Sequence, residues 1–122
     1  MCRVLIVDDN VDAADTLAAL LVISGHETAV AYEGVSALEH AESSRPNVVV
    51  LDLGMPGMSG YDVARNLRRR PWGSTLKLIA LTGWGQERDR RMTREAGFDE
   101  HLVKPADPDE LIRLVERLAG TA

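Results

Sequence analysis

Five positions in this 122-residue chain have side chains suited to one shared piece of chemistry. Asp8 and Asp9 directly follow the apolar run Val4-Leu5-Ile6-Val7, and Asp52 directly follows Val48-Val49-Val50-Leu51. Thr82 closes Leu78-Ile79-Ala80-Leu81, and Lys104 closes the shorter Leu102-Val103. Taken singly, each has an ordinary structural explanation. An Asp-Asp-Asn run caps helices and complements their dipoles, a lone Asp or a Thr-Gly turns the chain, and Lys-Pro is a common loop dipeptide. Taken together they are harder to explain that way. Carboxylates gathered within ~4 Å repel by about 4 kcal/mol per pair at an effective dielectric near 20, so a fold that keeps three together needs a cation. Lys104 is one of only two lysines among the fourteen basic residues, the other being Lys77. An all-oxygen donor set with room for water suits Mg²⁺ better than zinc, and Mg²⁺ points to phosphate chemistry.

Whether these groups meet depends on the elements that carry them. The first, third and fourth runs are short and wholly apolar, the first and third of them rich in β-branched residues, as strands buried on both faces are. Thr28–Ala31 and Leu102-Val103 are less apolar, as edge strands are. Helical patterns lie between them. Ala14, Leu17, Ala18, Leu21 and Val22 form one stripe, Ala37, Leu38 and Ala41 a weaker one, and Gly60, Val63, Ala64 and Leu67 a third. The last stripe is Leu111, Leu114, Val115, Leu118 and Ala119, preceded by Asp107 as N-cap, Pro108 at the first helical position and Glu110 three residues after the cap. A helix over 86–96, ended by Gly97, is anchored only by Met92 and Ala96 among Arg88, Arg90, Arg91 and Arg94. Five strand-helix repeats predict a single α/β domain over 1–122: a doubly wound five-stranded parallel sheet of order 2-1-3-4-5 with five helices. Ligands then bind beyond the carboxyl ends of the strands, where all five residues fall.

Composition narrows the function further. A formal charge of −5 argues against a nucleic-acid backbone binder, and 45% hydrophobic residues with 27% charged exclude a disordered chain. The single cysteine, Cys2, cannot close an internal disulfide. With no apolar run of membrane-spanning length and no signal-peptide layout, the expectation is a cytoplasmic protein with no membrane contact.

Four segments in order, Val7-Asp8-Asp9-Asn10, Leu51 to Gly60 (Leu-Asp-Leu-Gly-Met-Pro-Gly-Met-Ser-Gly), Leu81-Thr82-Gly83 and Lys104-Pro105, resemble the receiver domains of two-component response regulators. The resemblance spans essentially the whole chain and implies a flavodoxin-like fold. It implies that Asp52 accepts a phosphoryl group from a phosphohistidine, and that Asp8, Asp9, Asp52 and the Gly54 carbonyl serve a Mg²⁺, Asp8 mainly through water. Lys104 and Thr82 would engage the phosphoryl oxygens, with Pro105 holding the lysine through a cis peptide bond. The family's aromatic switch position, three residues before the lysine, is His101 here, a smaller side chain of a type that titrates near neutrality. The implied role is a signalling phosphoacceptor rather than an enzyme, slow autodephosphorylation aside. Its partners would be a histidine kinase or histidine phosphotransfer domain, with a downstream protein target on the fourth-helix and fifth-strand side.

Segments 81–86 and 101–105 are similar to receivers attached to hybrid sensor histidine kinases; a stand-alone regulator is the alternative. An aspartyl-phosphate-forming phosphatase would need a second Asp where this chain has Gly54, and neither a P-loop nor a kinase catalytic loop is present. Trp84 falls near the expected pocket mouth, and the arginines of 88–94 on a solvated or docking face. Arg68-Arg69-Arg70 reads most simply as helix-dipole complementation.

Overall fold

In a computed structural model, which describes residues 2–83 and 90–120, strands and helices alternate throughout. The order is β1 (Arg3–Val7), α1 (Val11–Ile23), β2 (Glu27–Ala31), α2 (Gly34–Ser44), β3 (Val48–Asp52), α3 (Gly60–Arg68), β4 (Lys77–Thr82), α4 (Arg90–Ala96), β5 (Glu100–Val103) and α5 (Pro108–Leu118). The strands form one parallel sheet of order β2-β1-β3-β4-β5, as expected. Every residue of β3 is buried, whereas the edge strands β2 and β5 are only partly covered.

Because successive strand residues point to opposite faces, each central strand feeds two cores. Leu5, Val7, Val49, Leu51, Leu78 and Ala80 pack with α2, α3 and Ala96 of α4 on one face. Val4, Ile6, Val48, Val50, Ile79 and Leu81 pack with α1 and α5 on the other. Each fully buried valine, leucine or isoleucine contributes about 1.5–3 kcal/mol relative to exposure, and the strand residues of both faces, Ala80 apart, are of this kind, so they hold the sheet between its helix layers. Among the described residues no helix is long and apolar enough to cross a membrane. Cys2 is a buried free thiol.

Local signals in the sequence fix the helix starts. Asn10 caps α1 by accepting from the Ala13 amide at 3.1 Å, and Ser59 and Asp62 form a reciprocal capping box on α3. Asp107 caps α5 ahead of Pro108, but its carboxylate accepts from the Asp109 amide at 3.0 Å. Glu33 supplies the equivalent contact for α2, from Ser36.

Two expectations need correcting, and a third needs extending. Val22 is 56% exposed, because its position lies about 80° around the helix from Ala14 at 100° per residue, off the stripe that Leu21 continues. Met92 is also exposed; α4 turns Thr93 and Ala96 inward instead. The arginine run does more than complement a dipole. Arg70 pairs with Glu42 of α2, and Arg68 bonds to carbonyls outside its own helix. Trp84, Arg88 and the start of the helix expected over 86–96 lie outside the described residues.

Candidate functional site

Parallel register brings the expected residues to one sheet edge. Val7 pairs with Leu51, Asp52 with Leu81, and Thr82 with Val103. The residues that end or follow these pairs, Asp8, Asp52, Thr82 and Lys104, therefore emerge side by side. Their spacing from the strand pattern requires no special loop; the sheet itself aligns them.

The Lys104 ammonium lies 3.0 Å from Asp52 Oδ2 and 3.4 Å from Asp8 Oδ2, bridging two carboxylates that are almost wholly buried. The other oxygen of each carboxylate is held by a backbone amide two residues on. Asn10 N–H donates to Asp8 Oδ1 at 3.0 Å, and Gly54 N–H donates to Asp52 Oδ1 at 3.0 Å. Asp9 is exposed, yet one oxygen each from Asp8, Asp9 and Asp52 lie within 4.8 Å of one another.

These contacts separate the acids. Burial would raise the Asp52 carboxyl, but the Gly54 amide and the Lys104 ammonium outweigh it and hold Asp52 below its ordinary range. Burial dominates at Asp8 and, with the Asp52 charge, raises its carboxyl despite the Asn10 amide and Lys104. Burial likewise disfavours the Lys104 charge, yet the facing Asp52 and Asp8 carboxylates win and raise it. The result is an ionised carboxylate on Asp52 beside a firmly protonated amine.

The three carboxylates offer only oxygen, two from buried side chains and one open to solvent. That is a hard donor set with space for water, and it fits Mg²⁺ rather than a nitrogen- and sulfur-seeking metal. Asp8, Asp9 and Asp52 are the residues able to hold it. A groove of about 610 Å³ opens beside Asp8 and Lys104, bordered by Asn10, Ala13 and Thr16 of the α1 end and by Pro105 and Ala106.

Thr82 is buried at the edge of the site, and its hydroxyl donates to the Leu102 carbonyl at 3.3 Å, across to β5. The Lys104 amide donates to the Thr82 carbonyl at 2.7 Å, tying the two strand ends together. The Lys104–Pro105 peptide is cis, as the resemblance implies. His101 stands apart from the acids. It is half-buried on β5 opposite Ala80, and borders a cavity of about 210 Å³ with Thr93 and Arg94 of α4 and with Phe98.

Two contributions were not anticipated. The amides of Asn10 and Gly54 orient the acids; an Asp followed two residues later by Asn or Gly is the local pattern that favours such side-chain-to-backbone bonds. Gly60, at the start of α3, lies so close to the Asp52 backbone that a Cβ there would overlap the Asp52 carbonyl oxygen and come within 2.9 Å of Leu53 Cα.

Comparison with known proteins agrees with this geometry. The sequence model of the response regulator receiver domain matches residues 4–116. An uncharacterised 14.6 kDa protein of Leptolyngbya boryana is 40% identical over 114 residues, covering 93% of this chain and 87% of that protein. The sensory transduction protein RegX3 of Mycolicibacterium smegmatis is 43% identical over 112 residues, which cover 92% of this chain but only 48% of RegX3. Among solved structures, the chemotaxis protein CheY4 of Vibrio cholerae superposes with a TM-score of 0.91 at 27% identity, covering 97% of this chain and 98% of that one. The receiver domain of the Francisella response regulator 1452 gives 0.89 at 28% identity and covers 98% of each.

Proposed function

The chain belongs to the response regulator receiver domain family, and from that premise we propose that it is a phosphoacceptor switch in which Asp52 takes a phosphoryl group from a phosphohistidine. The observation that carries this reading is the Lys104 ammonium 3.0 Å from a buried Asp52 carboxylate whose other oxygen is already held by the Gly54 amide. Such a carboxylate is ionised, aimed and short of water, which are the requirements of a nucleophile.

In the transfer, an Asp52 oxygen forms a bond to phosphorus as the phosphorus–nitrogen bond of the donor breaks. The bonding electron pair returns to the imidazole, which leaves neutral when its other nitrogen carries a proton. Lys104 faces the charge that gathers on the phosphoryl oxygens, in a position prepared before the phosphoryl group arrives. Asp8, Asp9 and Asp52, with the Gly54 carbonyl by family resemblance, are the residues that would hold Mg²⁺; bound there it would supply positive charge to the same oxygens. Thr82 would exchange its bond to the Leu102 carbonyl for one to a phosphoryl oxygen, shifting the end of β4 against β5. His101, bordering the cavity beside α4, would respond to that shift. Pro105 sets the path of the chain behind Lys104.

The donor class is a histidine kinase or a histidine phosphotransfer domain. A downstream target would read the face made by α4, β5 and α5, and the similarity of 81–86 and 101–105 to receivers of hybrid kinases favours a parent protein of that kind. The chain spans about half the length of RegX3, so the activity of any parent is part of the proposal.

Incubation with Mg²⁺ and acetyl phosphate tests the reading. The expected product is a chain carrying one phosphoryl group by mass spectrometry, labile in both acid and base and cleaved by hydroxylamine as an acyl phosphate is, and lost in Asp52→Asn. Equal labelling of that variant, or rapid multiple turnover of phosphate esters, would reject it in favour of other chemistry at this edge.

A further inference from the structure

The end of the sheet away from Asp52 buries an imidazole that the acid edge does not use. His26 lies in the turn between α1 and β2, with its side chain 3% exposed. The backbone fixes that turn. Gly25 has φ +97, and the amides of Gly25 and His26 donate to the carbonyls of Val22 and Leu21, both at 3.0 Å. The ring is thereby set between the residue that precedes β1 and the last turn of α5. On one side the Cys2 amide donates to Nδ1 at 3.3 Å, and the Cys2 thiol lies 3.5 Å from the same nitrogen. On the other side Nε2 faces Glu116 Oε2 at 3.9 Å.

A backbone N–H can only donate, so Nδ1 is an acceptor and the neutral ring carries its proton on Nε2. Burial pushes the Cys2 thiol above its ordinary range, so Sγ keeps its proton and offers it to Nδ1 as well. The Nε2 proton points toward Glu116 across a gap too long for a hydrogen bond, and this buried nitrogen has no hydrogen-bond partner among the described residues. The neutral ring is therefore well held on the Cys2 side and poorly held on the Glu116 side. The titratable groups that face it are these two, one from the chain ahead of β1 and one from α5. From α1 comes the Leu21 carbonyl, already bonded to the His26 amide, and Glu27, next in the chain, turns to Arg3 at 3.1 Å.

A second proton reverses that preference. Taken from water onto Nδ1, it makes both ring nitrogens donors, so the Cys2 amide and thiol lose their acceptor. The imidazolium also carries a charge that the Glu116 carboxylate can meet. Glu116 is 44% exposed, so its side chain has room to close the gap. A closure of about 1 Å makes a charge-assisted hydrogen bond. The Cys2 carbonyl still accepts from the Glu27 amide at 3.0 Å, which confines the release to the chain entering β1.

We propose that His26 is a proton-operated latch on the floor of the domain: neutral, its ring holds the Cys2 amide, and protonated, it lets that amide go and binds Glu116, drawing the last turn of α5 onto the start of the sheet. The latch does not depend on the phosphoacceptor reading, since none of its parts touches the acid edge.

NMR on the whole chain, titrated from about pH 8 to about pH 5, tests it, with the His26 ring assigned by its spectral connection to the backbone. At the alkaline end the ring nitrogens show the tautomer protonated at Nε2. As the ring gains its second proton, protection of the Cys2 amide, corrected for the intrinsic effect of pH on exchange, falls about tenfold, as the loss of one buried hydrogen bond requires. The Glu116 carboxylate carbon and the amides of the last turn of α5 shift with the same midpoint, while the His26 amide keeps its protection. Glu116→Gln lowers the proton affinity of the ring about threefold, the effect of losing a partly exposed ion pair, and leaves the release of Cys2 in place.

A ring protonated at Nδ1 at the alkaline end, or one that stays neutral until the chain unfolds, overturns the latch. So does a Cys2 amide whose protection is indifferent to the titration of the ring. An unchanged midpoint in Glu116→Gln, or in Glu116→Ala should the first variant not fold, overturns the role of α5.

Discussion

Replacing Asp8 by asparagine should stabilise the protein in the absence of divalent metal while removing much of its stabilisation by Mg²⁺. Asp8 is 1% exposed, and the oxygens it, Asp9 and Asp52 offer lie within 4.8 Å of one another. With those oxygens no more than 4.8 Å apart, the Asp8–Asp52 repulsion is at least about 3.5 kcal/mol at an effective dielectric of 20. The attraction of Asp8 to Lys104 at 3.4 Å is about 5 kcal/mol on the same scale. These pair energies largely cancel, and what remains is the cost of keeping a carboxylate out of water, several kcal/mol per buried ion. The raised Asp8 carboxyl has that burial as its largest cause. Asparagine is nearly the same shape and can still accept from the Asn10 amide through its carbonyl oxygen. After allowance for the lost Lys104 contact, the net gain is about 1–3 kcal/mol, or roughly 3–10 °C in Tm for a domain of this size. Mg²⁺ at one hundred times its Kd adds about 2.7 kcal/mol to the native protein, and much less to the variant. Thermal unfolding by circular dichroism, in EDTA and in Mg²⁺, reads both effects. An Asp8→Asn protein that melts at or below the native one in EDTA would refute the claim that the acid cluster is kept at a cost to stability.

Two further substitutions probe neighbouring parts of the same edge. Gly60→Ala should cost about 1–3 kcal/mol in urea unfolding, because its methyl must displace α3 from the Asp52 carbonyl; an unchanged midpoint would refute the close approach. In Lys104→Ala, labelling of Asp52 by acetyl phosphate should survive at a reduced rate while the change in amide exchange at Thr82 is lost. The same exchange response in that variant would separate Lys104 from the switch.

Much of this edge was legible because strand polarity does the positioning. Three wholly apolar runs fix the central strands, their parallel order fixes which ends meet, and an acid or a lysine placed immediately after each run then has one place to go. Asp8, Asp52 and Lys104 follow from that logic with no knowledge of their loops. Helix faces were legible where apolar residues dominate, as along Leu111, Leu114 and Val115, and less so in α4, where Thr93 rather than Met92 is buried. A hydroxyl that finds a partner can take an inward position, and hydropathy does not register it. The tertiary contacts of the arginine run were hidden for a related reason. A long side chain at a helix end reaches across tertiary structure, and Arg68 bonds carbonyls at 73, 76 and 97 that no local pattern links to it. The amides of Asn10 and Gly54 were equally silent, since backbone donors carry no letter of their own.

Strand direction also decides where the first strand opens and the last helix closes. Arg3 opens β1 beside Asn47, whose amide bonds to its carbonyl, and α5 runs back from the acid edge until Leu118 and Ala119 border the same hollow as Asn47 and Lys77. The start of β1 and the end of α5 thus both lie on the underside. Attachment at either of these points, on a sensor chip for example, leaves the edge that carries Asp8, Asp52 and Lys104 facing outward.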